Sequence, residues 1–197
     1  MLATMLPLSL LLRQPPAAND AQRMASAAEE NTLVPTNTVI VTMSAAIILC
    51  CTCMSTPLMH LVPLIQDRGF AASEAGSVIF VMLLVAIVGR LAFGKLADVI
   101  GALPAYMTAT AWMTAMVFGF IYIDTLATFY VYAIIYGFGY AGVMTGVLVS
   151  LRMLTPPSRR ASALGIVTMF GWFGHAIGGY QGGALYDLTG NYTAAYA

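Results

Sequence analysis

Arg90, Lys95 and Asp98 fall within nine positions of one another in GRLAFGKLADVIG, residues 89–101, although only 8% of the chain is charged. A guanidinium among apolar residues stays charged and offers a planar fork that suits a carboxylate, so Arg90 is a candidate anion-binding group. The alternative is that it snorkels to a membrane interface or pairs with a neighbouring helix. His175 is the second candidate, a lone imidazole in a long apolar run with Thr168, Gly171, Gly178 and Gly182 as small helical neighbours. An ionisable group there faces a cavity or a partner, and an unperturbed imidazole titrates near pH ~6.5, so it could carry a proton. The competing reading is a neutral ring bonded to a backbone carbonyl. Tyr132, Tyr136 and Tyr140 recur at i, i+4 and read either as packing residues or as a polar cavity wall, with Tyr136 and Tyr140 taken as candidate substrate contacts. Cys53 and His60 share a helix face, but two ligands do not make a metal site, and no metal or cofactor is expected.

These side chains need elements to hold them, and composition says which. With 60% hydrophobic residues and no net charge, the chain has neither a soluble domain's surface nor a nucleic-acid binder's charge. Apolar runs at Thr38–Val62, Ala75–Ala97, Ala102–Ile123, Leu126–Leu151 and Ala161–Tyr186 predict five membrane-crossing helices. Each is roughly 33–39 Å long at the helical rise, enough for a hydrocarbon core of ~30 Å. A lone strand would leave its backbone groups unsatisfied in lipid, so the fold class is an all-α, polytopic membrane protein. The three cysteines, Cys50, Cys51 and Cys53, lie together in the first run and read as packed thiols.

The connections set the orientation. Arg13, Arg23, Arg90, Lys95, Arg152, Arg159 and Arg160 belong to the head and the second and fourth connections, and Arg68 alone to the other side. Seven of the eight basic residues on one side predict a cytoplasmic N-terminus and an external C-terminus, with external loops at 65–76 and 123–128. Residues 1–12 are apolar but too short to cross and read as the tail of a preceding transmembrane helix; residues 13–37 read as a polar linker; residues 38–197 hold the spans. Both ends look cut.

One motif fails its context. GFGYAG, residues 137–142, has the dinucleotide spacing G-x-G-x-x-G but lies inside an apolar run, with Arg159 and Arg160 where an acidic residue would be needed. Gly139, Gly142 and Gly146, like Gly171, Gly174, Gly178 and Gly182, read as small-residue stripes for close helix packing.

GKLADVIGA resembles the loop motif of the major facilitator superfamily, close to G-x-L-A-D-[RK]-x-G-[RK]-[RK]. Gly94, Leu96, Ala97, Asp98 and Gly101 match, while Val99, Ala102 and Leu103 stand where the family places basic residues. HLVPLIQDRGFAASEAG (60–76), GRLAFGKLADVIG (89–101) and GHAIGGYQGGALYDLTGNYTAAY (174–196) resemble bacterial members related to monocarboxylate porters and oxalate/formate exchangers. The resemblance implies that the spans are helices seven to eleven, the C-terminal half of a transporter whose N-terminal half is missing. It implies a gating motif of Gly94, Lys95, Asp98 and Gly101, and Arg90 as the helix-eight arginine that binds a substrate carboxylate. The porters' proton-coupling aspartate corresponds to Ala86, and the exchangers' lysine falls near Gly171, so a monocarboxylate is expected rather than a dicarboxylate.

The expected function is therefore secondary transport of a small organic anion, possible only with the other half, in a bacterial cytoplasmic membrane, with protons as candidate coupling ions. The alternatives are a non-transporting fragment or assembly subunit, or a transporter half for a drug or sugar. An intramembrane enzyme is disfavoured: paired carboxylates, H-E-x-x-H and a serine–histidine cluster are all missing from the sequence.

Overall fold

The computed structural model describes residues 34–196, and every regular element among them is helical. The order is α1 (Thr36–Asp67), α2 (Ala72–Ile100), α3 (Ala102–Val117) continued by a 3-10 segment (Phe118–Tyr122), α4 (Leu126–Leu154), α5 (Arg160–Thr189) and a short α6 (Thr193–Tyr196). α1, α2, α4 and α5 are each long and apolar enough to cross a membrane. α3 and its 3-10 extension together reach roughly 34 Å at their respective rises, so this pair also fits the predicted third span. The tail and most of the linker predicted at 1–12 and 13–37 lie outside the described residues.

Each predicted run is contained in its element except at Ile123, which the 3-10 segment just misses, and the four long helices extend beyond their apolar runs. Hydropathy marks only the stretch that lipid must touch, whereas the helix continues through polar turns until its backbone is capped. The connection predicted at 65–76 thus shrinks to residues 68–71, where Gly69 takes φ 88° and the Glu74 carboxylate accepts the Ala71 amide at 2.9 Å. At the far end of α5, Gly190 adopts the left-handed conformation that closes a helix, φ 69°.

The packing falls into two groups. α1 lies against α5, while α4 lies against α2 on one side and α3 on the other. Glycines let these backbones meet. On α4, a methyl at Gly137 would strike the Met82 carbonyl, and one at Gly146 would strike the Tyr106 backbone. On α5, Gly174 and Gly178 rest against the carbonyls of Ile48 and Thr52. Both predicted small-residue stripes therefore lie in helix contacts. Side chains reinforce the α1–α5 seam: Thr52 donates to the Gly174 carbonyl at 3.2 Å and Ser55 to the His175 carbonyl at 3.0 Å. Where α4 and α5 approach each other the contact is sparse, and a gap opens between the two groups.

Beyond the membrane-crossing helices, Arg68 pairs with Asp124 and donates to the Ile121 carbonyl at 2.7 Å, joining the α1–α2 and α3–α4 connections. Tyr192 stacks on Tyr186 at 4.4 Å between ring centroids and lies 5.5 Å from the His60 ring. Its phenol is pushed up, first by burial and then by the nearby Asp67 charge.

Candidate functional site

Arg90 projects from α2 beside one of the close approaches of the α2–α4 contact. Gly89 sits against the Phe138 backbone, so the next residue, turned about 100° around the axis, emerges beside that contact. There it lines a cavity of about 280 Å³ in the gap between the two helix groups. Among the described residues its guanidinium has no hydrogen bond and no ion pair.

α4 and α5 supply the remaining polar groups of this cavity: Tyr140 from α4, and Thr168 and His175 from α5. The His175 Nδ1 lies 3.0 Å from the Gly171 carbonyl. A carbonyl only accepts, so Nδ1 carries the hydrogen and donates it. The backbone bearing the imidazole is fixed as well, because Ser55 bonds the His175 carbonyl from α1. His175 thus bonds a carbonyl and lines the cavity at the same time.

The rest of the lining is apolar, with Met144, Val147, Leu148 and Leu151 on α4, and Val167 and Trp172 on α5. None of these was singled out in the sequence. Their spacing carries the signal, since 144, 147, 148 and 151 continue the face that begins at Tyr140.

Tyr136 does not join them. It is fully buried, its ring 5.3 Å from Phe120 and 6.3 Å from Tyr140, one turn away from the cavity. The 3-10 segment after α3 carries Phe120 over it, a cover that α4 alone could not reveal. Tyr132 donates to the Met116 carbonyl at 2.7 Å and acts as a packing residue.

The loop motif also needs correction as structure. Gly94, Lys95 and Asp98, given by the resemblance as part of a loop motif, are helical residues of α2, and Gly101 alone makes the turn. Gly101 holds φ 95°, a conformation that L side chains rarely adopt, and α3 starts at the next residue. Lys95 and Asp98 are exposed on the last turns of α2. Elsewhere, His60 donates from Nε2 to the Gly179 carbonyl at 2.9 Å, and no three metal-binding side chains converge among the described residues.

The family described as the Major Facilitator Superfamily matches residues 36–197. This chain belongs to the major facilitator superfamily. It is therefore a multi-pass membrane protein of a transporter family. Among curated proteins it is 33% identical over 146 residues to monocarboxylate transporter 13 of Rattus norvegicus, a match covering 71% of this chain and 33% of that protein. With monocarboxylate transporter 13 of Bos taurus the identity is 30% over 143 residues, with the same shares. The major facilitator chain thus spans about a third of the length of the curated relatives it matches.

Proposed function

We propose that this chain is the C-terminal half of a secondary transporter that moves a small organic anion, a monocarboxylate, by alternating access. The observation that carries the reading is Arg90: a permanent cation on the wall of a mostly apolar cavity, with no anionic partner of its own among the described residues. One guanidinium fits one carboxylate, and among the described residues no second Lys or Arg lines the cavity. The names of the mammalian relatives are consistent with that substrate class. His175 is the cavity's titratable imidazole and the proposed proton carrier. Gly94, Lys95, Asp98 and Gly101 form the proposed gating motif, facing a first half that residues 1–12 and 13–37 would join to the spans at 38–197.

Uptake of a radiolabelled monocarboxylate into liposomes tests the proposal. The chain alone should give none, because its cavity is closed on one side only. Paired with a six-helix first half it should give saturable uptake, blocked by monocarboxylates and not by dicarboxylates, and His175→Gln should flatten the pH dependence. Uptake that ignores carboxylates and follows a sugar or drug instead would discard the anion assignment. A pair that assembles without transporting anything would favour the assembly-subunit reading.

The proposed orientation puts the Gly101 turn in the cytoplasm and Arg68 outside, following the basic-residue count. Ser73 and Ser158 are both exposed, at opposite ends of the bundle. A membrane-impermeant maleimide applied to intact cells should label Ser73→Cys and spare Ser158→Cys. The reverse pattern would invert the topology.

A further inference from the structure

We infer that the cavity selects monocarboxylates with an aromatic body, stacked on Trp172, over short-chain acids of equal charge. This rests on the carboxylate reading of Arg90 and adds what must occupy the remaining space. A cavity of about 280 Å³ has the volume of roughly nine waters, at ~30 Å³ each. A two-carbon acid held by Arg90 would leave most of it to waters facing Val147, Leu148 and Leu151, which offer them no hydrogen bonds. An acid of ~10 non-hydrogen atoms covers this wall and replaces those waters with apolar contact.

Trp172 gives the body its chemical character. It lines the cavity yet is 71% exposed, so much of its ring remains uncovered by this chain. The ring has one ordered neighbour: the His175 imidazole lies 5.6 Å from it, tilted at 42°, and is itself bonded to the Gly171 carbonyl one turn back. The indole N–H has no hydrogen bond among the described residues. An aromatic platform with a fixed neighbour and a spare donor suits a flat ring better than a branched chain, because offset stacking adds to area burial.

The test is ligand-induced thermal stabilisation of the full chain in detergent, with acetate, cyclohexylacetate and phenylacetate as probes. Phenylacetate should bind about tenfold or more tightly than acetate, with cyclohexylacetate between them. Trp172→Leu should erase the advantage of phenylacetate over cyclohexylacetate, and Trp172→Phe should restore part of it. Acetate binding as well as phenylacetate would overturn the inference and leave the carboxylate reading standing. A preference that survives Trp172→Leu would overturn the role of Trp172. If no acid stabilises the chain, the carboxylate reading falls and this inference falls with it.

Discussion

Arg90→Lys should weaken monocarboxylate binding by about 10–100-fold while leaving the yield of folded protein unchanged. The substitution keeps the charge and the length of the stem, so it isolates the shape of the head group. A guanidinium can present two parallel N–H bonds to both carboxylate oxygens, whereas an ammonium is a point charge. Losing one charge-assisted bond costs about 1.5–3 kcal/mol, which is the fold-change given. Folding should be indifferent because Arg90 makes no hydrogen bond or ion pair among the described residues. Arg90→Gln, which also loses the charge, should bind more weakly still. Asp98→Asn serves as the contrast: it is exposed two turns along the helix, away from the cavity lining, so binding should persist while any slowing appears in transport. Thermal stabilisation by phenylacetate, read for all three variants, decides the matter. If Arg90→Lys binds as tightly as the parent, Arg90 is a snorkelling residue and the carboxylate assignment goes with it.

How much of this was legible before any coordinates depends on what each signal measures. The apolar runs located the membrane-crossing elements because lipid demands an apolar exterior, and polar residues inside those runs stood out by contrast. That contrast found Arg90, Tyr140 and His175, which come from three different helices and share one cavity. It does not mark Met144, Leu148 or Trp172, because an apolar side chain has no such contrast; for Met144 and Leu148 only the helical spacing from Tyr140 carries a signal. Nor could it keep Tyr136 out, since the group that covers it, Phe120, belongs to a 3-10 segment with no periodic signature. The family resemblance marks 94–101 as a loop motif, whereas hydropathy alone already carries residues 94–97 into the second span. Only at Gly101 does the backbone require glycine; around Gly94 there is open space, and the helix runs straight through.

The same distinction between kinds of glycine yields the largest expected effect on folding. Gly178→Leu should sharply reduce folded protein in membranes, because a side chain there meets the Thr52 backbone carbonyl, which cannot move without displacing α1. Overpacking typically costs about 1–3 kcal/mol, and the rigid neighbour puts this site at the upper end. The change would also break the close approach that lets Thr52 and Ser55 bond the carbonyls of Gly174 and His175, so the imidazole would lose its position in the cavity. Gly182→Leu, one turn on, should be milder. Its neighbour is the His60 ring, an end of a side chain that can rotate away, at the cost of its bond to the Gly179 carbonyl. Gly165→Ala provides the control, since nothing lies within 4 Å of the added methyl and alanine favours the helix by about 1 kcal/mol. The expected order of monodisperse yield on size-exclusion chromatography is Gly165→Ala at or above the parent, then Gly182→Leu, then Gly178→Leu. A Gly178→Leu variant that elutes like the parent would mean that α1 and α5 do not meet at this point, and the geometry holding His175 in the cavity would have to be abandoned.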